Sequence, residues 1–399
     1  MTTMRFALKY EVLSHPQVFL ERLQPSPFLK GGEYPWAQSI LNPNILPGDN
    51  GVVRMFIRGV AARPEGFNHG NYISSIGYCE SKNGFHFTLS PEPIIVPTES
   101  YENALGCEDP LGIKLELDEA DKAALKDEPG VNPDAGNLFL LYYVAVGGKG
   151  RGDRDIRVAL AASQDLKHWN KYGVVGPTTE ITKSGLVLPK KDSLGRFVML
   201  YTAWTESPRS SIMIARFDSV KDLLHPPLGF MDENLRNYRE NLFLGPSSPF
   251  LNKGPETGAG AVPLNDELSI LVISPENRKM TDAWDIAALL LDRDANILAY
   301  IDLPVSGGLQ PEDRGIICAD CTFPRGATIR QENGQKMFYI SVGTGDDGAA
   351  LFRVSLDELL AGFEQDLIIN GQDPRIISQY YLRKLRAPAQ NRQPSPQPR

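Results

Sequence analysis

The sequence predicts an all-β, five-bladed β-propeller, on three observations. Apolar, β-branched runs occur in pairs at five places along the chain. In each pair the first run is strongly apolar, whereas the second is rich in small residues. The five units also resemble one another, and none can bury its faces alone. Repeats of that kind stack radially and leave only short edges.

In chain order, the pairs fall at residues 53–61 with 72–81, 138–146 with 155–165, 196–204 with 210–218, 268–274 with 284–294, and 336–344 with 348–356. Their first runs read MFIRGV, FLLYYVAV, FVMLYTAW, LSILVIS and MFYISVG. Their second runs read ISSIGYCES, VALAASQD, IMIARFDS, IAALLLDRD and AALFRVSLD, and small side chains let such strands crowd around an axis. A polar turn and an aromatic or aliphatic stretch follow in several units, as in NGFHFTL and LKHWNKYGVV. The starts are unevenly spaced, so the repeat is degenerate, and a β-sandwich built from the same hairpins is the competing arrangement.

The remaining segments read as additions. Residues 115–133 are acidic and helix-prone, residues 220–240 form a long connection, and residues 356–363 suggest a short helix. The tail from 386 to 399 is rich in Pro and Gln and reads as disordered. One domain over residues 1–385, with blades at about 40–362, is the expected organisation.

The 399 residues carry a formal net charge of -8, which gives no footprint for nucleic acid or for an anionic membrane. No apolar run of leader or membrane-spanning length occurs, and cytoplasmic is the default expectation. Cys318-Ala319-Asp320-Cys321 is a lone CxxC without a second pair, so it and the other two cysteines read as small thiols. The five histidines are scattered, and neither a metal nor a cofactor is expected.

Loops at one end of a propeller converge on a pocket, and paired carboxyl groups there suit glycoside cleavage. Gly106-Cys107-Glu108-Asp109-Pro110 lies between the first two units, with Pro110 restricting the backbone at Asp109. Ala161 to Trp169 (AASQDLKHW), Gly258 to Pro263 (GAGAVP) and Phe323 to Ala327 (FPRGA) follow in order. Together these four segments resemble glycoside hydrolase family 130, the β-mannoside phosphorylases and mannosidases, over residues 40–362. The resemblance implies the five-bladed fold and places Asp109 at the catalytic acid, which passes its proton through a hydroxyl of the bound sugar. Such an acid must be protonated, so its pKa is expected to be raised, with Glu108 as a neighbouring charge.

Departures from the family fall where its phosphorylases hold phosphate. Leu111, Tyr201-Thr202, Glu256 and Ser274 stand at positions where the family has basic residues, and Lys183 is a retained cation. A carboxylate at 256 repels phosphate and suits activation of water, with Glu206 as a second candidate. For sugar binding, the resemblance implies Arg58 and an aspartate near Asp346 and Asp347, and Tyr201 and Trp204 offer aromatic faces. Gly147 to Asp153 (GGKGRGD) lacks phosphate-loop spacing and reads as a hairpin loop. The expected function is therefore inverting hydrolysis of a β-mannoside or similar oligosaccharide. Phosphorolysis and a non-catalytic sugar-binding propeller are the alternatives, and a homo-oligomer is compatible with either.

Overall fold

The computed structural model describes residues 16–23, 29, 31–46, 52–62, 72–84, 86–132, 134–150, 153–206, 209–246, 254–277, 283–306, 309, 321–345 and 348–377. A short strand β1 (Glu21–Arg22) comes first. The first unit holds β2 (Ser39–Leu46), β3 (Val53–Ala62), β4 (Tyr72–Ser81) and β5 (Thr88–Leu89). The second holds β6 (Gly106–Glu116), β7 (Asn137–Gly150), β8 (Asp153–Ser163) and β9 (Asn170–Val174). The third holds β10 (Thr182–Val187), β11 (Phe197–Glu206), β12 (Arg209–Phe217) and β13 (Leu242–Leu244).

The fourth unit is more broken: β14 (Pro255–Thr257), β15 (Val262–Pro263), β16 (Leu268–Asn277), β17 (Ala283–Trp284), β18 (Ala287–Asp292) and β19 (Ile297–Asp302). The fifth holds β20 (Thr322–Glu332), β21 (Gln335–Thr344) and β22 (Gly348–Ser355), with β1 along β22 as its fourth strand. All five expected hairpins are present, and pairing inside every unit is antiparallel. The molecule is all-β, with few helices.

The first two units join as one eight-stranded sheet through a single parallel bridge, Ser74 to Gly106. Gly106 has φ 93°, and a Cβ there would stand 2.2 Å from the Ser74 carbonyl oxygen, so no other residue fits that joint. Each unit packs on the next, and the fifth packs on the first, where β20, β21 and β22 meet β2. Apolar clusters fill the gaps between units. Phe56, Ile76, Leu141 and Tyr143 pack between the first two, and Ile40, Met55, Tyr339 and Leu351 between the first and fifth. Each such side chain, fully buried, contributes about 1.5–3 kcal/mol.

The additions are less peripheral than expected. Residues 115 and 116 finish β6, and α1 (Glu119–Ala124) follows, capped by Asp118, which accepts from the Asp121 amide. Residues 220–240 form α2 (Val220–Leu224) and α3 (Phe230–Arg236), and Val220, Leu223 and Leu224 are core residues. His225 Nε2 lies 2.9 Å from Glu128 Oε1 and ties the two excursions together. The last helix, α4 (Leu356–Ile369), is longer than the expected 356–363 because its face packs on β19 and β21. Most of residues 147–153 is strand, not loop. Cys321 is disulfide-bonded, which corrects its reading as a plain thiol, while Cys79 and Cys107 are buried free thiols. Cys318 and the 386–399 tail lie outside the described residues.

Candidate active site

Four of the five inner strands lose register at corresponding places. The shifts fall between Leu41 and Asn44 in β2, Glu108 and Leu111 in β6, Lys183 and Leu186 in β10, and Pro324 and Gly326 in β20. In the fourth unit β14 ends at Thr257. A bulge frees a residue from the ladder and re-aims its side chain. The freed residues include Asn42, Asp109 and Ser184, with φ of 48°, 49° and 51°, and Arg325. Left-handed backbone at a non-glycine residue costs about 1–2 kcal/mol, so the surrounding contacts hold all three in place.

These side chains meet. Asn42 Nδ2 donates to Asp109 Oδ1, and Arg58 Nη1 lies 3.2 Å from the same oxygen. On the other side, Arg325 Nη2 lies 3.3 Å from Asp109 Oδ2 and 3.8 Å from Glu256 Oε2. Arg325 Nη1 donates to Ser184 Oγ at 2.7 Å. Glu108 Oε1 accepts from Arg58 Nη2 at 2.6 Å and from the Tyr72 hydroxyl at 3.1 Å. Thr257 is fixed by its amide, which donates to Thr202 Oγ1 at 3.0 Å. Asn42, Arg58, Glu108, Asp109, Ser184, Glu256 and Arg325 are all buried. Lys183 is half-buried beside them, with Nζ 5.6 Å from the centre of the Trp204 ring.

Three carboxyl groups thus share a buried pocket with three cations, and the three do not titrate alike. Burial pushes Asp109 up, but Arg325, Arg58, Lys183 and the Asn42 amide outweigh it and hold the carboxyl at about 2. Asp109 is therefore a carboxylate in the free protein, which corrects the expectation of a raised pKa. Burial raises Glu108 despite Arg58, with Asp109 adding to the rise. Burial likewise raises Glu256, against the pull of Lys183 and Arg325. Among the described residues no cluster of His, Cys, Asp or Glu is arranged to hold a metal.

The structure brings together Asp109, Glu108, Glu256, Arg58 and Lys183 from the expected set, and Trp204 joins them through Lys183. Tyr201 does not belong: it is fully buried, and its hydroxyl donates to Asn234 Oδ1 at 2.7 Å, so it is a core residue and not a stacking platform. The Glu206 side chain, Asp346 and Asp347 lie outside what is described. Leu111 is core, and Ser274 pairs with Glu256 across β14 and β16. Sequence reasoning missed Asn42, Tyr72, Ser184 and Arg325. A signal for three of them exists: Asn42-Pro43, Asp109-Pro110, Ser184-Gly185 and Thr257-Gly258 each place Pro or Gly after a polar residue on an inner strand, and Arg325 sits between Pro324 and Gly326.

Behind the bulges a cavity of about 480 Å³ is lined by all five units, through Asn44, Leu111, Leu186, Gly260 and Ala327 among others. A cavity of about 710 Å³ at Trp169, Lys171, Tyr172 and His225 lies on the outer edge and shares no residue with the carboxylate cluster.

No family model matches the chain. It is 28% identical over 214 residues to a 1,2-β-oligomannan phosphorylase of Thermoanaerobacter sp. (strain X514), covering 52% of this chain and 60% of that protein. A β-1,2-mannobiose phosphorylase of the same organism is 28% identical over 130 residues, covering 33% and 34%. This chain thus spans 60% or less of the length of these curated relatives. Among solved structures, the β-1,2-mannobiose phosphorylase of Listeria innocua has a TM-score of 0.61 at 16% identity, covering 87% of this chain and 99% of that one. A structure from glycoside hydrolase family 130, described as mannoside phosphorylases that contain hydrolases of β-1,2-mannosidic linkages in Candida mannan, gives 0.60 at 18%, covering 87% and 97%. The chain is similar in fold to a member of glycoside hydrolase family 130.

Proposed function

We propose that this chain is a five-bladed β-propeller enzyme that cleaves β-mannosidic bonds with inversion, and that inorganic phosphate is its acceptor. The observation that carries the reading is the convergence of Asp109 with Arg58, Lys183 and Arg325 in one buried pocket. The sequence suggested a site short of cations, but Arg325 supplies one from the fifth unit. Three cations, Arg58, Lys183 and Arg325, face this pocket, and basic side chains of that kind suit an oxyanion. That the two Thermoanaerobacter relatives are phosphorylases also favours phosphate over water.

In this reading a phosphate oxygen attacks the anomeric carbon, the glycosidic bond breaks, and Asp109 supplies the proton to the leaving oxygen through a sugar hydroxyl. Arg58 holds Glu108 and Asp109 in place, and Trp204 is a face for the sugar. Residues 1–385 form the domain, and a cytoplasmic setting and a homo-oligomer belong to the proposal; no helix among the described residues is long and apolar enough to cross a membrane.

One observation favours hydrolysis as a second reading. Glu256 is a buried carboxyl 3.8 Å from Arg325, and an ionised Glu256 repels phosphate and activates water. The deciding experiment incubates the protein with β-linked manno-oligosaccharides, with and without phosphate. Mannose 1-phosphate formed only with phosphate supports the first reading. Free mannose without phosphate, lost in Glu256→Gln, supports the second, and no cleavage of any mannoside overturns both.

A further inference from the structure

Arg325 has more bonding capacity than its surroundings use. Its two terminal nitrogens go to Ser184 and Asp109, but Nε is buried and meets no acceptor among the described residues. A buried, unpaired donor is costly unless a ligand completes it. The guanidinium also stands between two carboxyl groups at unequal contact, 3.3 Å from Asp109 and 3.8 Å from Glu256. Its backbone is clamped where the Asn44 side-chain amide donates to the Arg325 carbonyl, so any shift of the guanidinium must come from its side-chain torsions.

Every strand around Asp109 presents a group to it: Asn42 from β2, Arg58 from β3, Glu108 from its own strand, Lys183 and Ser184 from β10, Glu256 from β14 and Arg325 from β20. Arg58 is shared with Glu108, and Lys183 stands off over Trp204. Arg325 is thus the cation best placed both to hold Asp109 ionised and to reach an acceptor arriving beside Glu256.

We propose that Arg325 is the acceptor-sensing residue of this site: a bound phosphate draws its guanidinium from Asp109, and the released carboxylate takes up the proton it then passes to the leaving oxygen. The inference rests on the cleavage reading above. The balance closes. Dihydrogen phosphate gives one proton to Asp109 and attacks the anomeric carbon through an oxygen. The glycosidic bond breaks with its electron pair on the leaving oxygen, which receives the Asp109 proton. The sugar phosphate departs as a monoanion and Asp109 returns to carboxylate. Cleavage without phosphate would then leave Asp109 locked by Arg325.

Two measurements test this. In Arg325→Gln, KM for phosphate should rise about tenfold or more while KM for the saccharide stays within about twofold, with Arg325→Lys between. The alkaline limb of kcat/KM should move to higher pH in the same variant, because Asp109 has lost a cation. Equal changes in the two KM values, or an unmoved limb, overturn the proposal. Should Arg325→Gln fail to fold, titration calorimetry on the unaltered protein with phosphate at pH 8, in two buffers of different ionisation heat, counts protons directly. Uptake of about one proton per phosphate is expected, and none overturns it. Phosphate bound with proton uptake but no mannoside cleaved would sink the cleavage reading alone. Mannosides cleaved with no phosphate bound would sink the role of Arg325 and leave cleavage standing.

Discussion

Asp109 and Glu256 are both buried carboxyls, yet their neighbours drive them in opposite directions. Asp109 has two guanidinium groups and an amide on its oxygens, and Glu256 has one cation at 3.8 Å. Their contributions to stability have opposite signs. A carboxyl held at about 2 stabilises the fold above its ordinary value and loses that contribution as pH falls through about 2. Glu256, held above its ordinary value, stabilises below that value and loses the contribution as pH rises through its raised one. Glu256→Gln removes a charge that burial disfavours. Its melting temperature relative to the unaltered protein should therefore be higher at pH 8 than at pH 4; an equal drop at both pH values would mean that Lys183 and Arg325 need the charge. Asp109→Asn should cut turnover by about 10²–10⁴-fold, the usual contribution of a general acid, while saccharide binding survives in calorimetry. Substantial residual turnover would assign the proton to another group. Residue by residue, Asp109, Glu256, Arg58 and Lys183 were legible because they stand at or beside segments with a family counterpart. Arg325 was not, since it fills a variable position whose importance depends on a strand 216 residues from Asp109. The pKa of Asp109 was misread because burial is suggested by one strand, whereas the opposing cations come from three others.

The inner strands are where element-scale logic shows most clearly. Each must run close to its neighbours, yet release one side chain toward the shared centre, and a bulge does both. The hairpins behind them were legible from alternating apolar runs, because the pleat puts every second residue on one face. The bulges were harder to see. A one-residue slip inside a short strand leaves the apolar count unchanged, and only Pro43, Pro110 and Pro324 mark the interrupted ladders. Close approach between elements gives a test at this scale. A Cβ on Gly326 would stand 2.1 Å from the Ile45 amide nitrogen, backbone that cannot swing aside. Gly326→Ala should therefore destabilise by about 1–3 kcal/mol or more through overpacking between β20 and β2. Gly136→Ala, where nothing lies within 4 Å, is the control and should be near neutral in the same denaturant titration. Similar midpoints for the two would place β2 and β20 further apart than described.

At the scale of the whole molecule, the candidate site exists only if five units close on one another. Asp109 comes from the second, Ser184 from the third, Glu256 from the fourth, Arg325 from the fifth and Asn42 from the first. No unit owns the pocket. Closure depends on a short piece of chain: β1 pairs Glu21 with Arg353 and Arg22 with Phe352, so the first strand completes the last sheet. Arg353 reinforces the seam, with Nε 2.9 Å from Glu21 Oε2, and Leu20 is wholly buried in the cluster between the fourth and fifth units. A strand at that seam holds ends far apart in sequence, so its loss should act on the packing of the units on one another and not on any one hairpin. Removing residues 1–23 leaves every pocket side chain in the chain, yet should lower the melting temperature and turnover together. Supplying the segment as a separate peptide should restore part of both. If turnover instead falls with the melting temperature unchanged, the segment contributes to the chemistry directly; if neither moves, the first and fifth units stay together without it, held by the packing of β20, β21 and β22 on β2 alone.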